Sequence, residues 1–182
     1  DAGTFVGTTN GGGRVGDGTA AVESYLAYGG AISADDSPLQ LVTYSEMKFV
    51  EAEAAFRNNN SGRALTAFEE GIKSNIMKIF SMAGMDGTDA ADDYYDAAYP
   101  GITAGSITLA NIMREKYVAM FLNPEAWTDA RRYDYMYTDF ELPENANLSE
   151  FIRRVQYPDS ELTRNRINVP TVALTDRIFW DN

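Results

Sequence analysis

The chain has 182 residues, 15 basic against 27 acidic, for a formal charge of −12; a field of that sign opposes nucleic-acid phosphates and anionic membrane surfaces. It has no Cys and no His, which excludes disulfides, thiolate metal sites, Cys nucleophiles, Ser-His-Asp relays and HExxH zinc sites. Hydrophobic residues make up 45% and charged residues 23%, the composition of a globular domain or part of a larger one, and no apolar run approaches the roughly 18 residues of a membrane helix.

Residues 1–42 read as an irregular arm. Gly11-Gly12-Gly13, Gly16, Gly18 and Gly29-Gly30 alternate with Thr, Asn and Asp, the residues of turns and loops. Neither a strand before these glycines nor a clear helix after them supports a phosphate-binding loop. A short helix over Thr19–Leu26 is compatible with the pattern. No signal peptide is visible, and the chain starts at Asp1 rather than Met, so it is expected to be a processed form or a piece of something longer.

Thr43 and Glu46 have the spacing of a capping box, which starts a helix running to about Arg57. Met47, Val50 and Ala54 form one apolar stripe on it, and Phe49 and Phe56 a second. Asn58-Asn59-Asn60-Ser61-Gly62 is long enough only for an antiparallel return. A second helix spans about Gly62 to Ala83, with Leu65, Phe68, Ile72, Ile76, Ile79 and Phe80 at spacings of three and four. Ala64, Ala67 and Gly71 allow a neighbouring helix to approach, and Gly84 suits the residue after the helix. The pair resembles one tetratricopeptide-like αα-hairpin, which needs neighbours to bury its remaining faces.

Residues 85–100 carry five Asp and no Lys or Arg. Thr88 is expected to cap a helix through Tyr99, with Asp89, Asp92 and Asp93 near its positive end and Tyr95 and Tyr99 on one face. The Asp86–Asp96 cluster lacks the spacing of a calcium loop, so no metal is assigned. A longer helix is expected from about Ser106 to Leu122 with a stripe of Leu109, Met113, Tyr117, Met120 and Phe121. Asn123-Pro124-Glu125 starts another, with Asn as N-cap and Pro at the first position; it carries Trp127, Ala130, Tyr133 and Met136-Tyr137, and Trp127 is expected in the core. Beyond it, Pro143, Pro158 and Pro170 punctuate an extended tail. The fold class is therefore all-α, with TPR-like helical hairpins, long irregular loops and an extended C-terminal tail. Its expected divisions are the arm at 1–42, a helical core at 43–137 and a tail at 138–182 packing on the helices.

Five segments resemble one family in the right order. Tyr44-Ser45-Glu46 with Ala52-Glu53-Ala54 is similar to the "Y-(S/A)-E-…-AEA" helix of SusD/RagB proteins. Ile112 with Glu115-Lys116, Ala119 and Phe121 resembles their "I-…-E-K-…-A-…-F" helix. Glu125-Ala126-Trp127 with Asp129 and Arg131-Arg132 resembles the "EAW-D-RR" helix. Arg153-Arg154, Tyr157-Pro158, Ser160-Glu161 and Asn165 resemble the "R-R-YP-SE-…-N" tail, and Phe179-Trp180 matches an aromatic pair near the family's C-terminus. The resemblance covers about residues 38–182 and the C-terminal portion of a family member.

That resemblance implies a lipid-anchored, surface-exposed protein on the outer membrane of Bacteroidetes-type bacteria. It implies no catalysis and no cofactor. It implies capture of an oligosaccharide or polysaccharide, or in some members a peptide, and partnership with a SusC-like TonB-dependent transporter. The lipid-bearing Cys would lie on a missing N-terminal segment. A helical-repeat adaptor binding another protein is the alternative function. A glycosidase needs two carboxylates in one cleft, and nothing in the sequence places two there.

Tyr faces stack on the C–H faces of sugars while nearby acids and amides bind hydroxyls. Tyr94, Tyr95 and Tyr99 beside Asp93 are therefore candidate ligand contacts, as are Asn10, Arg14 and Asp17 in the arm. Arg131, Arg132, Arg153 and Arg154 are expected to be structural, because a buried guanidinium must be paired.

Overall fold

The computed structural model describes residues 7, 10–12, 24, 26 and 28–181. The regular elements among these are all helical: α1 Tyr44–Arg57, α2 Ser61–Met82, α3 Thr88–Ala98, α4 Leu109–Ala119, α5 Glu125–Arg132 and α6 Asp159–Arg164, with one 3-10 turn at Arg166–Asn168. The all-α expectation holds. Arg14, Asp17 and most of the expected Thr19–Leu26 helix lie outside the described residues. The chain divides into two compact units, Tyr25–Asp129 and a discontinuous one of Asp1–Ser24 with Ala130–Asn182.

In the helical unit, caps set the element ends. The Thr43 side chain accepts from Glu46 N at 3.1 Å, so that half of the capping box is present. Glu46 Oε2 is instead buried, with no hydrogen-bond partner among the described residues. Asn59 takes the left-handed conformation at φ 58°, which Asn tolerates better than most residues. Asn60 then caps α2 by accepting from Arg63 N. At the far end of α2, Met85 N donates to Phe80 O and Gly84 N to Ser81 O, with Gly84 at φ 73°. This is a Schellman stop, and it needs the glycine because the left-handed residue carries no Cβ penalty.

Packing follows from the small residues of α2. A Cβ on Gly71 would stand 3.0 Å from the Phe49 ring, so the glycine lets α1 lie close against α2. Ala64 and Ala67 are buried beside it. Phe49 and Phe68 meet edge to face at 6.3 Å between ring centres, and Phe68 meets Tyr99 in the same way at 5.0 Å. Ile72, Ile107 and Ile112 complete the core. Burial of each large side chain contributes about 1.5–3 kcal/mol.

Three stripe expectations need correction. On α1 the buried face runs through Ser45, Phe49, Ala52, Glu53 and Ala55, whereas Met47 and Val50 are exposed. On α4 the buried residues are Ile112, Met113, Glu115 and Lys116; Tyr117 and Phe121 are exposed. Lys116 is buried because it pairs with Asp129 at 2.7 Å. Trp127 is 37% exposed and not part of the buried core. The sequence pattern gave weight to apolar identity, but small and paired polar residues fit the close helix contacts better. Helix α4 is also shorter than expected. Thr108 and Asn111 form its capping box, and its C-cap is Met120. Thr88 is the first residue of α3 rather than its cap, and Asp86 Oδ1 accepts from both the Thr88 backbone and hydroxyl.

The discontinuous unit has little regular structure, and polar groups organise it. Arg131 donates to Arg153 O at 3.0 Å and stacks over Trp180 at 4.7 Å. Arg153 donates to both Asp181 oxygens and also to Asp134. Arg177 joins the same two acids. Asp181 is 1% exposed, a burial tolerable only because two guanidiniums surround it. Tyr135 stacks on Phe151 at 4.5 Å and donates to Ile152 O. The tail thus contains α6 and a 3-10 turn, which the sequence reading missed. The structural reading of Arg131 and Arg153 agrees with these contacts.

Candidate ligand-binding site

Helix α3 divides its residues cleanly. Ala91, Tyr95 and Tyr99 recur every four residues and are buried against the α2 side of the core. Gly87 continues this face, since a Cβ there would come within 2.7 Å of Phe80 Cβ. Tyr95 and Tyr99, two of the candidate ligand contacts, each retain 9% exposure and pack into the core. The physical reason is the i, i+4 spacing: the residues chosen as a sugar platform are those a short amphipathic helix turns inward.

Asp93 and Tyr94 occupy the outward side. Tyr94 is 39% exposed, and its hydroxyl donates to both Glu115 oxygens at 3.2 and 3.3 Å. Tyr99 donates to Glu115 Oε1 at 2.6 Å. Burial first, then the Glu115 hydrogen bond, pushes the Tyr99 phenol well above its usual range. Burial and the Glu115 charge raise Tyr94 in the same direction.

Tyr94 and Glu115 also line a cavity of about 130 Å³ with Asn75, Phe49, Ile72, Ile76 and Val118. Asn75 Oδ1 is buried without a hydrogen bond among the described residues. Sequence reasoning missed Glu115 and Asn75. The available signal was an acid at 115 sharing a helical face with Ile112 and Ala119, where an apolar residue would be expected.

A second and wider depression, about 450 Å³, lies along the α1–α2 hairpin and is lined by Met47, Lys48, Val50, Glu51, Ala54 and Arg63 among others. Here Lys48 bridges Glu51 at 3.0 Å and Glu70 at 2.7 Å, and Arg63 reaches Glu51 at 2.8 Å. The Arg63 hydrogen bond, then that of Lys48, holds the Glu51 carboxyl below its usual range. These ion pairs are solvent-facing and contribute little each.

Asn10 belongs to the discontinuous unit. Its side chain donates to Glu141 O at 3.1 Å and its carbonyl accepts from Glu144 N. Gly11 follows at φ 77°, where a Cβ would collide with Glu144 backbone atoms at 2.8 Å. Asn10 is exposed. Among the described residues no cluster of acids has the grouping of a metal site, and no helix is long and apolar enough to cross a membrane.

The described residues thus form a helical scaffold that presents an acid and an aromatic ring side by side on α3. A family model described as "SusD-like, starch-binding associating with outer membrane" matches residues 1–158. The chain belongs to this SusD-like family. No curated protein and no solved structure matches it.

Proposed function

We propose that the chain captures a glycan without chemically altering it, at the outer-membrane surface, as the SusD-like member of a SusC-like uptake system. The family match over residues 1–158 carries this reading. Helix α3 supports it locally. The exposed Tyr94 ring offers an aromatic face to a pyranose, and the neighbouring exposed Asp93 offers acceptors for its hydroxyls. Asn10, Arg14 and Asp17 are the proposed contacts in the arm.

Affinity electrophoresis through gels containing starch and other polysaccharides tests this. The chain should be retarded by at least one glycan. Tyr94→Phe, which keeps the ring, should be retarded like the parent. Asp93→Ala should migrate faster with little change in melting temperature. Tyr94→Ala should migrate faster and also lower the melting temperature, because it removes a donor to the buried Glu115. No retardation by any glycan sinks the capture reading. Retardation that survives both alanine changes moves the site away from α3.

A further inference from the structure

The carboxylate of Glu115 sits in an unusual position. It is 4% exposed, yet among the described residues no guanidinium or ammonium pairs with it. Its neighbour Lys116 is engaged by Asp129, and the partners of Glu115 are the Tyr94 and Tyr99 hydroxyls. An ionised carboxylate has about four acceptor positions. Oε1 receives the short Tyr99 bond, while Oε2 receives one arm of a forked bond from Tyr94. Oε2 therefore keeps spare acceptor capacity. Asn75 lines the same cavity, and its Oδ1 is buried with no hydrogen bond among the described residues. Burying a charge and an amide oxygen without full satisfaction is costly.

Both deficits have one sign. The cavity holds spare acceptors and negative charge, and it needs a cationic donor with more than one N–H. Its remaining walls are apolar, including Phe49, Ile72, Ile76 and Val118. At about 130 Å³ it approaches the cavity of about 150 Å³ that holds a benzene molecule. A bare metal ion does not suit it, because hard cations take about six or more oxygen ligands and this cavity offers about half that from Glu115, Asn75 and Tyr94.

We propose that this cavity is a binding site for a primary ammonium group carried on a short apolar stem. The ammonium is held between Glu115 Oε2 and Asn75 Oδ1, and the stem lies along Ile72, Ile76 and Val118. The site lies behind the outward face of α3 and shares Tyr94 with it, but amine binding does not depend on glycan capture. It would admit the end of an alkylamine, an amine-bearing metabolite or a lysine side chain.

Titration of the full chain with n-butylammonium, followed by amide NMR, tests it at neutral pH. The signals of Asn75, Glu115 and Val118 should shift saturably, and 1-butanol, which has the same stem without the charge, should bind at least about tenfold more weakly, a difference of about 1.4 kcal/mol. Glu115→Gln keeps the shape and removes the charge, so it should abolish that preference. Should that variant fail to fold, Val118→Phe provides a second route; Val118 is half exposed at the cavity wall, and a larger ring there should block the amine. Equal binding of butanol and butylammonium, or the absence of a saturable shift, overturns the proposal. So does amine binding that persists in both variants.

Discussion

The two units of this chain solve the same problem with different chemistry. In Tyr25–Asp129, helices satisfy the backbone internally, and the remaining task is apolar. Gly71, Ala64 and Ala67 clear space for the Phe49 and Phe68 rings. In the segment from Ala130 onward, long loops leave carbonyls and charges to be satisfied one at a time. Arg131 takes a backbone oxygen, and Arg153 and Arg177 hold Asp134 and Asp181. Where secondary structure is regular, stability comes from fit; where it is irregular, it comes from forked, charge-assisted hydrogen bonds. Each unit carries its own tryptophan, Trp127 in one and Trp180 in the other. Single Trp→Phe variants therefore give one fluorescence reporter per unit.

The largest effect is expected from Phe68→Ala. Phe68 is fully buried at the meeting point of Phe49, Tyr95 and Tyr99, and its removal should cost about 3–5 kcal/mol. Chemical denaturation should show the loss at Trp127. If the transition at Trp127 does not move, the apolar account of the helical unit fails.

Asp181→Ala should come next. It strips Arg153, only 11% exposed at its side chain, of one of its two acids. The expected cost is about 3 kcal/mol, as for breaking a buried ion pair, read at Trp180. Added salt should not rescue it, because the pair is buried and poorly screened. A change confined to tenths of a kcal/mol would make the network ornamental and erase the contrast between the units.

The smallest effect at ordinary pH is a difference in alkali. Tyr94, Tyr95 and Tyr99 all have phenols raised above their ordinary value of 10.0, with burial the first cause. The folded helical unit keeps these protons while the unfolded chain gives them up. The stability they confer is complete below pH 10.0 and falls as pH rises beyond it. Near-ultraviolet absorbance should show a late-ionising class of tyrosines that appears together with loss of the helical signal. Early ionisation with the helices intact would contradict the burial of Tyr95 and Tyr99.

The sequence disclosed the helices better than the faces they bury. Thr43, Gly84 and the Asn123-Pro124 start act through local backbone chemistry, so their meaning survives without knowledge of neighbours. The stripes failed where tertiary contact decided. Met47 and Val50 look like core and are exposed. Glu53, Glu115 and Lys116 look like surface and are buried, because Arg57, two tyrosines and Asp129 respectively meet them. Much of the candidate site was hidden for the same reason. Asp93 and Tyr94 were legible as a polar aromatic pair, but the cavity behind them depends on Asn75 and Glu115, 40 residues apart in the chain and joined only by folding.

The position of Asp181 also bears on the order of events during synthesis. Its carboxylate lies 28 residues beyond Arg153, and Trp180 follows Arg131 at a still greater separation. A ribosome adding about 5–20 residues per second delivers every residue of Tyr25–Asp129 seconds before it supplies either partner. Through that interval the nascent chain carries a helical body that can already close and a following stretch whose Arg153 still lacks Asp181, one of its two acids. The helical unit is thus available to fold first, and the second unit waits for its clasp.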